Sequence, residues 1–169
     1  MIIHIDSATT GPLSESQSRA MLKFCRSAGG TVFTVNYLYV KGEESEQRSS
    51  EFYQRLSVFS GGERLLENIC GNGFQPQQCW LLDDESIEAI LKDTNGDLFA
   101  YDVLNLPEDW LFYVGDSILL QIVTHEQEAT LRLTDDQYAQ FSKLAISHKR
   151  GNPKWSGLPE EPTRTTPAR

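Results

Sequence analysis

His4 and Asp6 have the spacing most suggestive of chemistry in this sequence. Side chains repeat every two residues along an extended strand, so an imidazole and a carboxylate would project from the same face here. His125 and Glu126 form a second such pair in a polar turn, and these four side chains are ligands of the zinc type. The two pairs have no fixed spacing relative to each other, and we therefore predict neither a metal site nor a cofactor.

The sequence supports nucleophilic catalysis even less than it supports a metal site. There is no Gly-x-Ser-x-Gly elbow, and Cys79 could reach His4 or His125 only through the fold. An enzyme, of a hydrolase-like kind, is therefore the alternative hypothesis rather than the first one. The residues to inspect for it are His4, Asp6, Cys79 and His125.

Charge is the strongest global signal. The net charge is −9, and the segment from Lys149 onward holds five of the 15 basic and two of the 24 acidic residues, which leaves −12 on residues 1–148. Such a body repels nucleic acid and anionic membranes. A basic protein is the macromolecular partner that this charge favours.

The leading hypothesis is thus a small, acidic protein-binding module. One concrete form is an inhibitor of the immunity or antitoxin kind, in which carboxylates cover a basic surface of another protein. Its predicted contact residues lie in an acidic loop and at a hairpin tip: Glu43, Glu44, Glu46, His125, Glu126 and Glu128. The second alternative is a homo-oligomeric structural protein, with a homodimer as its simplest form.

Aromatic residues bear on the same question. Tyrosine and tryptophan are enriched at protein interfaces, but they also fill sheet cores. The sequence leaves both readings open for six of these rings: Tyr37, Tyr39, Tyr53, Tyr101, Trp110 and Tyr113.

The elements that must position these residues are clearest between 110 and 146. Apolar and polar residues alternate in three runs, with Gly115-Asp116 suited to a tight hairpin turn, and this predicts a three-stranded antiparallel meander at about 110–133. Thr134 and Gln137 then have the spacing of a capping box. A helix over 135–149 should follow, and a meander that leads into an amphipathic helix is typical of an α+β fold.

Elsewhere the periodicity predicts further elements around a mixed, mainly antiparallel sheet, with one or two parallel pairs as an option. Helices are expected at 15–28, 46–60, 63–70 and 84–92, although 46–60 also alternates acceptably as a strand. Strands are expected at 2–5, 31–41, 79–82 and 98–103.

The domain organisation follows from composition. We predict one domain over 1–150 and a proline-rich, disordered tail over 151–169, which Trp155 could pin to the body. The start lacks the features of a signal peptide, and no apolar run reaches membrane-spanning length. Three cysteines without metal-like spacing suit a reducing cytoplasm, and the chain looks bacterial.

Overall fold

The computed structural model describes residues 1–36, 51–68, 73–102 and 106–151. Within them, eight strands form one sheet, and every pairing between neighbouring strands is antiparallel. The strands are β1 (Ile2–Asp6), β2 (Gly30–Asn36), β3 (Ser60–Glu67), β4 (Phe74–Leu81), β5 (Asp109–Val114), β6 (Ser117–Val123), β7 (Glu128–Arg132) and β8 (Lys149–Arg150). Their order across the sheet is β3-β4-β2-β5-β6-β7-β1-β8.

Five helices accompany the sheet in these ranges: α1 (Ser7–Thr10), α2 (Glu15–Ser27), α3 (Glu51–Leu56), α4 (Asp84–Asp93) and α5 (Asp135–Phe141). The predicted α+β fold is confirmed. So are the meander, formed by β5, β6 and β7, and the helix that follows it. None of the helices described is long and apolar enough to cross a membrane.

The helices begin where local chemistry favours them. Ser14, Asp83 and Thr134 each accept a hydrogen bond from the backbone N–H three residues ahead, in complete capping boxes. The predictions of helices over 15–28 and 84–92 are therefore confirmed.

The main core lies between the sheet and the helices. The meander separates β1 from β2 in the sheet, so the connection through α1 and α2 crosses over it. Phe33 of β2 lies at the centre of an aromatic row, with ring centroids 5.7 Å from Phe112 and 6.0 Å from Trp80. Phe52 of α3 packs edge-on against Trp110, and Phe24 of α2 against Phe141.

A second apolar cluster lies on the opposite face of the sheet. The β3–β4 hairpin curls over this face, so that Glu67 at the end of β3 donates its N–H to the carbonyl of Asp116 in the β5–β6 turn. The Tyr113 hydroxyl donates to the Glu67 carbonyl at 3.2 Å. The residues enclosed are Val32, Leu66, Cys79, Leu111, Tyr113 and Ile118.

Two predicted elements are wrong. Residues 63–70 were expected to form a helix, but 60–67 are strand β3, in which Leu66 is buried and Leu65 is 59% exposed. The segment is extended because β3 pairs with β4 along its whole length. The strand expected at 98–103 is a turn over its described part, because Leu98 donates its N–H to the Ser18 hydroxyl and Phe99 to the Asp97 carboxylate.

The C-terminal helix is shorter than predicted. Instead of continuing to residue 149, α5 ends at Phe141, and a 3₁₀ turn at Ser142–Leu144 leads to Ala145 in the left-handed conformation. The reversal buries Ile146 in the core, where it is 4% exposed. It also brings Lys149 and Arg150 alongside β1 as strand β8.

The remaining boundaries differ only in detail. The helix expected at 46–60 is α3 followed by a 3₁₀ turn at Ser57–Phe59, and the strand expected at 79–82 begins at Phe74. β2 covers the first part of the strand expected at 31–41. Residues 37–50 lie outside the described residues, as do the tail from 152 and Trp155. Parallel pairs do not occur among the strands described.

Candidate functional site

Several acidic and histidine side chains meet at one end of the sheet, where β1 and β6 end and β5 and β7 begin. The register places Val123 of β6 opposite Glu128 on one side and Asp109 on the other. With adjacent strands about 4.8 Å apart, Glu128 and Asp109 are roughly 10 Å apart across the sheet. We call this group the strand-end cluster: His4, Glu108, Asp109, His125, Glu126 and Glu128.

His125 is the centre of one half of the cluster. Its Nδ1 lies 2.6 Å from Oε1 of Glu108, and its Nε2 lies 3.4 Å from Oε1 of Glu126. The Glu108 carboxylate is largely buried, whereas His125 and Glu126 reach solvent. Tyr101 stands beside the imidazole with ring centroids 6.3 Å apart. This half therefore presents an imidazole held between two carboxylates.

Asp109 is the electrostatically perturbed member. Burial, and then the neighbouring charge of Glu108, raise the pKa of the Asp109 carboxyl to about 6, while a hydrogen bond with Asn36 and the nearby His125 act in the opposite direction. A carboxyl with that pKa exchanges its proton near neutral pH. Perturbed groups of this kind are common at functional sites.

The turn that carries His125 and Glu126 is fixed by buried polar contacts. Thr124 donates both its N–H and its hydroxyl to the Glu108 carbonyl. Gln127, with a φ of 60°, donates its side-chain amide to the carbonyls of Phe99 and Thr124. These bonds hold the turn against the segment before β5.

The other half of the cluster lies on β1 and β7. His4 Nε2 is 3.8 Å from Oε1 of Glu128, so the two groups interact electrostatically without a close hydrogen bond. Asp6, directly opposite Glu128, has a structural role because it caps α1. Hydrogen bonds from Thr9 hold the pKa of Asp6 below its ordinary value.

The structure thus brings five of the predicted residues to one end of the sheet: His4, Asp6, His125, Glu126 and Glu128. Cys79 lies on β4, and four strands separate it from β1 in the sheet. Its thiol donates to the Gly62 carbonyl, and burial raises its pKa. The remaining predicted contact residues, Glu43, Glu44 and Glu46, lie outside the described residues.

Glu108 and Asp109 are not among the residues predicted from the sequence. They stand directly before the first apolar residue of the meander, a position that is also typical of an ordinary turn. The available signal was two adjacent carboxylates at the entrance of a central strand, where the antiparallel register must place Asp109 near the end of β6.

The two readings of the aromatic residues can be compared where the rings are described. Trp110 and Tyr113 are fully buried, which supports the core reading for them, whereas Tyr101 is 43% exposed. Leu65 and Phe74 on the β3–β4 hairpin are also exposed. Tyr37 and Tyr39 lie outside the described residues.

Among the residues that the structure describes, no group of three or more His, Cys, Asp or Glu side chains is arranged to hold a metal ion. In comparisons with known proteins, no family model, no curated protein and no solved structure matches the chain.

Proposed function

We propose that the protein is a binding module that recognises a basic protein surface through its strand-end cluster. The observation that carries this proposal is the grouping of four carboxylates at one end of the sheet, namely Glu108, Asp109, Glu126 and Glu128. Of these, Glu126 lies on the turn that the hydrogen bonds of Thr124 and Gln127 hold in place. In the described ranges, His125 is the partner of both Glu108 and Glu126, and no lysine or arginine pairs with either of them.

Electrostatic complementarity would act in two ways. A cluster of carboxylates steers a basic partner during encounter and disfavours acidic surfaces at short range. The net charge of −9 contributes in the same direction. An inhibitor of the immunity or antitoxin kind, bound over a basic surface of another protein, is the form of this function that we favour.

The test is a comparison of two double variants with equal charge changes. Glu126→Gln with Glu128→Gln neutralises two of the four carboxylates of the cluster. Glu63→Gln with Glu85→Gln is the control, since both control carboxylates are exposed and lie on β3 and α4. The wild-type protein is immobilised, and proteins that it retains from lysate at about 50 mM salt but releases at about 500 mM are identified and purified.

We expect the retained partner to be basic. Its affinity, measured by calorimetry, should fall about tenfold or more in the cluster variant, because two charge contacts are lost. The control variant should bind as the wild type does. Equal weakening in both variants would show that net charge alone is recognised, and retention of neutral or acidic proteins would contradict the proposal.

A hydrolase-like enzyme is the second candidate, and the raised pKa of Asp109 favours it. A carboxyl with a pKa of about 6 and an imidazole nearby could share acid and base roles near neutral pH. In the described part of the chain, however, no nucleophilic side chain is hydrogen-bonded to His125 or Asp109. Hydrolysis of model esters or phosphoesters that is lost in Asp109→Asn would favour this candidate over the binding module.

A further inference from the structure

The imidazole of His125 lies between two carboxylates that differ in exposure. Its Nδ1 is 2.6 Å from Oε1 of Glu108, and its Nε2 is 3.4 Å from Oε1 of Glu126. The side chains of His125 and Glu126 are 39% and 48% exposed, whereas that of Glu108 is 13% exposed. The accessible part of this arrangement is therefore the side on which Nε2 and Glu126 lie.

The short contact with Glu108 determines which nitrogen of the neutral ring carries the proton. An ionised carboxylate only accepts hydrogen bonds, so Nδ1 is the donor and Nε2 is left with an acceptor lone pair. The neutral ring thus places two acceptors, Nε2 and Oε1 of Glu126, side by side at the surface. Among the described residues, no donor bridges them.

Two kinds of donor can occupy the position between these acceptors. A proton on Nε2 turns His125 into an imidazolium, which donates to Glu108 and Glu126 at once. Alternatively, a donor nitrogen from another molecule can lie about 2.9 Å from each acceptor and bridge them. Both use the same lone pair of Nε2, so the proton and the external donor exclude each other.

The charge around the imidazole selects a cationic donor. The titratable groups that face the ring are Glu126 on its own turn, Glu108 in the segment before β5, Asp109 at the start of β5, and Tyr101. In the described ranges, no lysine or arginine pairs with Glu108 or Glu126. A lysine ammonium is a compact charge with three donors, so one ammonium can meet both Nε2 and the Glu126 carboxylate.

We propose that Nε2 of His125 and the carboxylate of Glu126 bind a lysine ammonium of the basic partner, and that protonation of His125 closes this site. Imidazoles change charge between about pH 5 and 8, so the site is open in neutral to alkaline solution and closed in acid. Asp109, whose pKa burial raises to about 6, loses its negative charge in acid as well and weakens the attraction further. The inference rests on the proposed function, because it names the side chain that anchors the partner and the condition that releases it.

The test measures the affinity of the full-length protein for hexa-L-lysine amide by calorimetry at about pH 7.5 and about pH 5.5, where neutral and protonated imidazoles respectively predominate. His125→Gln replaces the titrating ring with a neutral polar side chain. His148→Gln is the matched control, since His148 packs against Tyr138 and Phe141 outside the strand-end cluster. The neutral ligand control is the same peptide with acetylated side chains.

A second pair of variants tests the carboxylate. Glu126→Gln removes its charge, and Glu63→Gln is the control, since both side chains are exposed. The bonds of Thr124 and Gln127 that hold the turn involve neither His125 nor Glu126, so the cluster variants keep this turn.

Between the two pH values, the wild type should lose affinity at least about fivefold more than His125→Gln does, a factor at the lower end of coupling between two sites. His148→Gln should behave like the wild type. Coupling is reciprocal, so the peptide should displace protons at about pH 6.5, and more of them from the wild type than from His125→Gln. Calorimetry in buffers of different ionisation enthalpy measures this release.

At the higher pH, Glu126→Gln should weaken binding about fivefold or more, and Glu63→Gln should have a smaller effect. An equal pH dependence in the wild type and His125→Gln would overturn the proposal. Binding that is unaffected by Glu126→Gln would do so too, as would the absence of saturable binding at the higher pH or equal binding of the acetylated peptide.

Failure of the two proposals can be distinguished. A pH-dependent affinity for hexalysine that requires His125, in a protein that retains no basic partner from lysate, would leave the ammonium site and remove the proposed function. A basic partner whose binding has the same pH dependence in His125→Gln as in the wild type would support the binding module and reject the closure of the site by His125.

Discussion

Glu67 joins the β3–β4 hairpin to the middle of the sheet, and its replacement is the sharpest test of the fold. Its Oε1 accepts from Nη1 of Arg132 at 2.6 Å, and its Oε2 accepts from the N–H of Ile118 at 2.8 Å. β4, β2 and β5 lie between β3 and β6 in the sheet, so these contacts exist only if the hairpin curls over.

The expected cost follows from these two bonds. A hydrogen bond to a charged group contributes about 1.5–3 kcal/mol, and partial exposure of both side chains places each bond at the low end of that range. Glu67→Ala should therefore lower the free energy of unfolding by about 2–3 kcal/mol. Glu67→Gln keeps an acceptor for the Ile118 N–H but loses the charge opposite Arg132, and should cost about half as much.

The assay is urea denaturation followed by circular dichroism, together with hydrogen exchange of the Ile118 amide. Glu63→Ala on the same strand is the matched control, since Glu63 is exposed, and it should change stability by less than about 0.5 kcal/mol. Exchange at Ile118 should accelerate in Glu67→Ala alone. Equal destabilisation by both alanine variants, or unchanged exchange at Ile118, would refute the closure of the hairpin over this face.

Two further predictions concern buried charge and backbone conformation. Burial raises the pKa of Asp109 to about 6, so its contribution to stability is full below about pH 4 and is lost as the pH rises through 6. Asp109→Asn should thus be more stable than the wild type by up to about 3 kcal/mol at pH 8 and similar to it at pH 4 in urea denaturation; the same difference at both pH values would contradict this. Gly96 has a φ of 80°, and an added Cβ would lie 2.7 Å from Cβ of Glu15 in the first turn of α2. Gly96→Ala should cost about 1–2 kcal/mol more in thermal unfolding than Gly62→Ala, where φ is 76° and nothing lies within 4 Å of the added atom.

Local chemistry made much of the fold predictable. The capping boxes at Ser14 and Thr134 start α2 and α5 where the sequence places them. Gly115 has the positive φ that the predicted β5–β6 turn requires. These features act over three or four residues, and neither depends on a distant partner.

The wrong secondary-structure predictions lie where contacts with residues distant in sequence determine the structure. Leu65, Leu66 and Ile69 have helical spacing, but pairing with β4 gives β3 a backbone ladder that a short helix would lack. Residues 146–150 could continue α5, yet burial of Ile146 and pairing of Lys149 with His4 reverse the chain instead. In both segments the helical and the non-helical conformation fit the local sequence about equally well. Contacts with residues remote in sequence therefore determine which conformation forms.

In the candidate site, too, local features are predictable from the sequence, whereas contacts between strands are not. Histidine and glutamate at 125–128 could be recognised as a polar turn, but their meeting with Glu108 depends on the β5–β6 register. Thr130 and Gln121 read as the polar positions of alternating strands, and such residues normally face water. They are instead buried, and among the described residues neither Oγ1 of Thr130 nor Nδ1 of His4 has a hydrogen-bond partner. The antiparallel register sets these residues side by side on β1, β7 and β6. The alternating pattern therefore predicts the strands of the meander but not the burial of Thr130 and Gln121. Only the order of the strands in the sheet places these polar residues beside the carboxylates.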